Sequence, residues 1–334
     1  MKPSPYRPNE KRYESGMIYK RTGNSGILLP AISLGLWHNF GSVDRLADGL
    51  EKAHYAFDQG ITHFDLANNY GPVYGSAEET FGLIMKKSFQ PFRDELFIST
   101  KAGYDMWPGP YGNWGSRKYL MSSLDQSLLR MKLEYVDLFY SHRYDPNTPL
   151  QETMQTLVDM VKQGKALYIG ISNYPTQAAI KAYQYLAERD VPCLLHQGKY
   201  NLFQRMAEED DLLNKTSQAG VGFIAYSPLA QGLLTDRYLE GIPSDSRIAR
   251  GGYLKKEQLT KKRLQQISKL NDMAKQRGQT LAEMSIAWLL NKKEITSVLI
   301  GASSTQQIEN NLKALHNTSF SEEELQFLES ISKE

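Results

Sequence analysis

Eight short apolar runs recur along this chain, at 31–37, 63–67, 96–101, 136–142, 167–172, 194–200, 222–228 and 297–303. Each is rich in Ile, Leu, Val or Phe, as strands of a parallel sheet buried on both faces should be. Helical patterns lie between them, at 44–59, 76–87, 150–163, 178–189, 206–219, 280–291 and 305–316. Two more, at 255–277 and 321–332, are extra. The first helix stops at Gly60 and the one from 150 stops at Gly164, while Ser76 with Glu79 three positions on reads as a capping box. Ahead of the alternation, 17–21 and 27–29 flank a Gly/Asn turn and predict a β-hairpin. Eight strand–helix units within 334 residues match an α/β fold of the (β/α)8 TIM barrel kind better than an open sheet. The expectation is therefore one barrel domain over 1–334, with an N-terminal hairpin, extra C-terminal helices and an extended lead-in over 1–15.

Composition excludes several classes of function. The net charge of +2 offers no electrostatic footprint for nucleic acid or an acidic membrane surface. No apolar run is long enough for a transmembrane helix, and the first ten residues hold no apolar signal core. Cys193 is the single cysteine, so no internal disulfide forms and a reducing, cytoplasmic setting is expected, with the thiol buried and inert. The six histidines, at 38, 54, 63, 142, 196 and 316, are not at metal-ligand spacing, and no metal is expected. Gly220-Val-Gly222 fits a loose dinucleotide fingerprint but follows a helix and enters a strand, the wrong order for that task.

In parallel α/β proteins chemistry is built at strand C-termini. Asp65, Lys101 and His142 each close or follow an apolar run, and Tyr70 stands on the loop five residues past Asp65. Together they are the parts of a proton-delivering site. Reducing a carbonyl takes hydride at carbon and a proton at oxygen. A Tyr hydroxyl can be the acid, but its reference pKa is about 10, and a nearby cation lowers it. Lys101 is placed to be that cation and Asp65 to hold it charged and oriented. His142 is placed to orient the carbonyl and to hydrogen-bond the developing alkoxide.

The second half holds parts of a cofactor groove. Ser172 and Asn173 end the fifth run, Gln197 lies on the sixth, and Tyr226 ends the seventh with a flat face for stacking. The last run leads through Gly301 and Ser303 into a helix carrying Gln307 and Asn311 one turn apart. Phosphate sites in such barrels follow strands seven and eight at a helix N-terminus, and Arg237 and Arg247 can add charge. On the substrate side, Trp107, Tyr111 and Trp114 sit on a Gly/Pro loop that suits a mobile lid, and Trp37 with His38 line the same pocket. Arg143 and Arg117 are candidates for a phosphorylated aldehyde.

These stretches resemble the aldo-keto reductase superfamily over nearly the whole chain. Asp65, Tyr70, Lys101 and His142 match its catalytic tetrad; 170–173, 226–232 and 300–303 match its cofactor-binding stretches. Segments 101–119 and 139–146 are similar to a bacterial reductase group acting on L-glyceraldehyde 3-phosphate and, more distantly, to potassium-channel β subunits. The resemblance implies NADPH across the barrel mouth, with Tyr226 against the nicotinamide and Ser172, Asn173 and Gln197 on its carboxamide. Ser303, Gln307, Asn311 and Arg247 would take the adenosine phosphate end. Trp37, Ser227, Leu229, Gln231, Gly232, Arg237 and Gly301 complete the cofactor set. Trp37, Tyr70, Trp107, Trp114, His142 and Arg143 would face a small aldehyde, methylglyoxal-like compounds included. Relatives assemble into rings of four or eight, which implies a homo-oligomer.

Two departures from the family pattern stand out. Asp236-Arg237-Tyr238 replaces a common Gly-Lys-Tyr, and Gly198 stands where Pro is frequent. Two other readings stay open on the residues alone: a Schiff-base aldolase with Lys101 as nucleophile, and a non-catalytic subunit that senses NADPH.

Overall fold

The computed structural model describes residues 6–243, 248–249 and 254–333. A two-stranded antiparallel hairpin, β1 (Tyr19–Arg21) and β2 (Leu28–Pro30), precedes a closed barrel of eight parallel strands. The barrel strands are β3 (Ile32–Gly35), β4 (His63–Asp65), β5 (Phe97–Ala102), β6 (Val136–Ser141), β7 (Ala166–Ser172), β8 (Cys193–Lys199), β9 (Gly222–Tyr226) and β10 (Ile295–Ile300). They run in sequence order around the ring, and β10 closes on β3. All eight expected strands are present; β7 extends its apolar run by one residue, and the others are shorter than or shifted slightly from theirs.

The helices form the outer layer: α1 (Leu46–Asp58), α2 (Ser76–Ile84), α3 (Arg117–Met131), α4 (Leu150–Lys162), α5 (Thr176–Ala187), α6 (Met206–Glu209), α7 (Leu212–Gln218), α8 (Lys261–Gln276), α9 (Leu281–Asn291), α10 (Thr305–Leu312) and α11 (Glu322–Lys333). Four differ from expectation. Helix α3 is missing from the helices expected from the sequence. Ser116 caps it, and its buried Leu120, Leu124 and Leu128 at four-residue spacing form a narrow apolar stripe that Ser123 and Ser127 interrupt, while Leu129 is exposed. The single helix expected over 206–219 breaks into α6 and α7 because Asp211 adopts a left-handed conformation, φ 60°. The capping box expected at Ser76 is absent. Gly75, φ 91°, occupies the cap, so Ser76 is already inside the helix and its hydroxyl, among the described residues, has no partner. The box does form at α9, where Thr280 and Glu283 cap each other's backbone N–H groups. The long helix expected over 255–277 begins as a 3-10 turn, and the α-helix starts only after the Thr260 cap.

Two packed regions result. Strand residues pointing outward meet the helices, as Ile98, Phe64 and Phe139 do. Those pointing inward fill the barrel with Phe97, Leu138, Leu194, Leu195, Ile224 and Leu299. Leu29 of the hairpin is fully buried against this inner cluster and plugs the strand N-terminal end of the barrel. The plug requires close backbone approach. Gly23 lies where an added Cβ would meet the Gly220 carbonyl oxygen at 2.0 Å. The Asn24 N–H donates to that same oxygen at 2.9 Å. Gly220 and Gly222 thus seat the hairpin at the closed end, opposite the mouth where the strands finish. Cys193 is buried, and burial pushes its thiol up to about 12. Among the described residues no helix is long and apolar enough to cross a membrane.

Candidate active site

The pleat explains how the interior of β5 reaches the mouth. Phe97, Ser99 and Lys101 share one face, whereas Thr100 points outward to Glu78, donating to its carboxylate at 2.5 Å. Register places Asp65 beside Ser99, and Lys101 beside Tyr140 of β6. The result is a buried ion pair, Lys101 Nζ to Asp65 Oδ2 at 2.5 Å, with both side chains fully enclosed. Lys101 also donates to the Leu66 carbonyl at 2.7 Å. The free Asp65 oxygen, Oδ1, accepts from Ser99 Oγ at 2.6 Å and from Gln197 Nε2 at 3.2 Å. Tyr70 folds back over the mouth, its hydroxyl 3.4 Å from Lys101 Nζ. His142 follows β6 directly, edge-on to Tyr70 with ring centroids 5.8 Å apart. The four residues expected to converge do converge.

Their protonation states are set by enclosure. Burial, reinforced by the Asp65 carboxylate, pushes the Tyr70 phenol well above its ordinary value. Here the sequence expectation is corrected in its balance: the Lys101 ammonium beside the hydroxyl favours the phenolate, but burial and the Asp65 carboxylate outweigh it. The phenol keeps its proton. Burial lowers the Lys101 ammonium, and Asp65 opposes that shift. Burial, then the charges of Lys101 and Arg143, hold His142 well below an ordinary imidazole, so it is neutral. Among the described residues its buried Nδ1 has no hydrogen-bond partner. This neutral ring therefore has one N–H to offer a polar guest.

The groove side carries amides and hydroxyls. Asn173, in a left-handed conformation (φ 56°), donates from Nδ2 to the His142 carbonyl at 3.1 Å and to Ser172 Oγ at 3.0 Å. Its Oδ1 accepts from the Tyr226 hydroxyl at 2.8 Å. Gln197 is buried and its Nε2 is turned to Asp65, which ties it to the catalytic cluster as well. After Tyr226 the backbone is left-handed at Ser227, Ala230 and Gln231 and at Gly232, which curls the chain beside half-buried Leu229. Beyond β10, Gly301 and Ser303 are exposed, Ser304 caps α10, and the Ser303 N–H donates to Gln307 Oε1 at 2.9 Å. Asn311 is buried on the same helix. Arg237 is exposed on a 3-10 turn, and Arg247 lies outside the described residues. Hydroxyls and amides beside an aromatic ring, followed by an exposed helix N-terminus, are a donor set that fits an extended dinucleotide.

Around the mouth, Trp37 stacks loosely on His38 at 4.2 Å and lies 6.4 Å from Tyr70. The loop expected to be a mobile lid is braced. The Met106 N–H donates to the Gly112 carbonyl at 2.9 Å, and Gly112 has no room for a Cβ beside the Trp107 carbonyl. Trp107 packs on Tyr119 at 5.1 Å, toward the barrel wall, and Tyr111 is exposed. Arg143 lies over the Trp114 ring at 3.5 Å and the Tyr104 ring at 4.3 Å. Its Nε donates to the Gly103 carbonyl at 2.7 Å and Nη2 to Asn113 Oδ1 at 2.8 Å. Arg117 is corrected as a substrate cation, since it pairs with Asp159 on the helical layer. Sequence reasoning missed Tyr104, whose ring meets His142 edge-on at 4.7 Å. It also missed Ser99, His63 and Tyr140 inside the barrel. Position three past Lys101 on a mouth loop was the available signal for Tyr104; for the others there was only strand alternation.

Comparison with known proteins follows the same lines. The sequence model of the Aldo/keto reductase family matches residues 31–333. The chain is 55% identical over 321 residues to the L-glyceraldehyde 3-phosphate reductases of Escherichia coli O157:H7 and of Escherichia coli strain K12, covering 95% of this chain and 92% of each relative. It is 34% identical over 305 residues to a probable voltage-gated potassium channel subunit beta of Arabidopsis thaliana, covering 90% of this chain and 91% of that one.

Buried neutral histidines make stability depend on pH. Burial depresses His63 to about 4 and His196 to about 3, both fully enclosed. Their neutral-form stability is fully present above the unfolded value of about 6.5 and is lost as pH falls toward the folded values, at up to about 1.4 kcal/mol per pH unit each. The urea midpoint is expected to hold near pH 7.5 and to fall steeply between about 6.5 and 4. A midpoint unchanged from pH 7 to 5 would contradict this assignment.

Proposed function

The chain belongs to the aldo/keto reductase family and is an oxidoreductase; on that premise we propose that it reduces small aldehydes to alcohols with NADPH, L-glyceraldehyde 3-phosphate first among them. The observation that carries this reading is the protonated Tyr70 hydroxyl 3.4 Å from the ammonium of a fully buried ion pair. The whole chain is read as one barrel domain serving this site.

When bound, a nicotinamide would supply the hydride that the carbonyl carbon takes up. Tyr70 delivers the proton to the carbonyl oxygen. An alkoxide is a stronger base than even an elevated phenolate, so the transfer runs downhill. The phenolate left behind faces Lys101, whose charge Asp65 maintains, and this attraction grows only as the reaction proceeds. His142, neutral and with a single N–H, donates to the same oxygen and orients it without competing as an acid. Ser172 and Asn173 are proposed to hold the carboxamide and Tyr226 to stack on the ring. Arg237, with Ser303, Gln307 and Asn311 after the last strand, is the proposed basis for preferring the 2′-phosphorylated dinucleotide.

The aldehyde is proposed to lie among Trp37, Tyr70, Tyr104, His142 and Trp114. Arg143 is its proposed phosphate partner. The two flanking rings and the Gly103 and Asn113 oxygens fix its guanidinium, and those two contacts use two of its five N–H donors. The aldolase reading loses its basis here, because a lysine fully buried against Asp65 and the Leu66 carbonyl is not a free nucleophile. Higher identity to the reductases than to the channel subunit favours turnover over sensing.

Absorbance at 340 nm with NADPH, against L-glyceraldehyde 3-phosphate, methylglyoxal and 4-nitrobenzaldehyde, tests the activity. Tyr70→Phe is expected to lower kcat by about 100-fold or more while NADPH affinity stays within a few-fold. A variant at near wild-type rate would remove Tyr70 as the acid. Arg143→Ala is expected to raise KM for the phosphorylated aldehyde by about 10-fold or more and to leave 4-nitrobenzaldehyde nearly untouched. Equal effects on both substrates would assign Arg143 to loop structure instead.

A further inference from the structure

Below the ion pair a file of polar side chains runs along four neighbouring strands inside the largely apolar barrel. Ser297 Oγ and Ser33 Oγ are 2.6 Å apart; Ser33 Oγ is 2.8 Å from His63 Nδ1; His63 Nε2 is 2.9 Å from Ser99 Oγ; and Ser99 Oγ is 2.6 Å from Asp65 Oδ1. Each of these side chains is fully buried. They share the barrel interior with Phe97, which packs edge-on to His63, and with Leu138, Leu195 and Ile224, so aliphatic residues would suit this space without the desolvation cost.

We propose that Ser297, Ser33, His63 and Ser99 form a one-way hydrogen-bond relay that fixes the Asp65 carboxylate in the orientation that pairs with Lys101, which makes them positioning residues for the reductase site. The proposal rests on the catalytic reading above.

The direction follows from counting protons. Asp65, ion-paired with Lys101, only accepts. Ser99 has one hydroxyl proton and gives it to Asp65, so Ser99 must accept from His63 Nε2–H. Burial keeps the ring neutral near pH 7, so Nδ1 carries no proton and accepts from Ser33. Ser33 has then used its own proton and accepts from Ser297. Every donor points toward Asp65, and each bond polarises the next. Were the carboxylate to rotate, Lys101 would lose the group that opposes its own burial, and the phenolate of Tyr70 would lose its stabilising charge.

The test pairs a spectroscopic readout with a kinetic one. In the intact protein with NADP+ bound, imidazole 15N and 13C shifts of labelled histidine, assigned by the peak missing in His63→Gln, are expected to give the neutral Nε2–H tautomer from about pH 6 to 8. A Nδ1–H tautomer or a protonated ring would overturn the relay. His63→Leu is expected to lower kcat about 10-fold, with aldehyde KM and NADPH affinity within about 2-fold. His63→Gln, whose amide both donates and accepts, is expected to restore most of that loss. Ser99→Ala, a smaller change, is expected to lower kcat likewise if His63→Leu does not fold. Folded His63→Leu or Ser99→Ala with wild-type kcat would refute the proposal. A wild-type chain that turns over no aldehyde would refute the catalytic reading alone, because the tautomer reports on the relay without turnover.

Discussion

The Asp65–Lys101 ion pair is the constraint around which the barrel is organised. Two opposite charges with no solvent exposure are tolerated only when the remaining donors and acceptors are satisfied. Here Ser99 and Gln197 supply donors to the carboxylate, and the Leu66 carbonyl accepts from the ammonium. The pair and these partners come from three strands and one loop, so the pair is fully satisfied only when the ring is closed. Gln197 ties the pair to the far side of the ring, and the hairpin plug closes the opposite end.

Enclosure then separates the roles of the two remaining groups. The same burial acts on Tyr70 and His142 in opposite directions, because one is charged when it loses a proton and the other when it gains one. The phenol holds its proton firmly, and the imidazole stays uncharged. An acid that remains loaded and a neighbour that donates a hydrogen bond without delivering a proton are what carbonyl reduction needs. Arg143 adds to this by repelling a proton from His142 while its guanidinium is held between two aromatic rings.

Much of this was legible in the residues. Apolar runs marked all eight strands, since buried parallel strands leave a compositional trace that does not depend on tertiary detail. Asp65, Lys101 and His142 were visible because they interrupt or end those runs. What stayed hidden depends on which way a side chain faces. His63, Ser99 and Ser33 sit inside strands, and whether an alternate residue faces the interior or the helices follows only from the closed register. Ser76 looked like a cap because its spacing to Glu79 was right, yet Gly75 took the left-handed turn and displaced it by one position. Helix α3 was overlooked because a narrow Leu stripe on a polar helix is a weak signal, and Asp211 broke a helix by a backbone conformation that periodicity does not register.

The account stands most directly on which group delivers the proton. The decisive measurement is the pH dependence of kcat for NADPH-dependent aldehyde reduction by the wild-type chain. With Tyr70 as a phenol held above its ordinary value among Asp65, Lys101, Tyr104, Tyr226 and His142, the rate should stay level from about pH 6 to about pH 9 and fall only at higher pH. A rate that falls with an imidazole-like midpoint near or below about pH 6.5 would make His142 the acid and contradict the assignment.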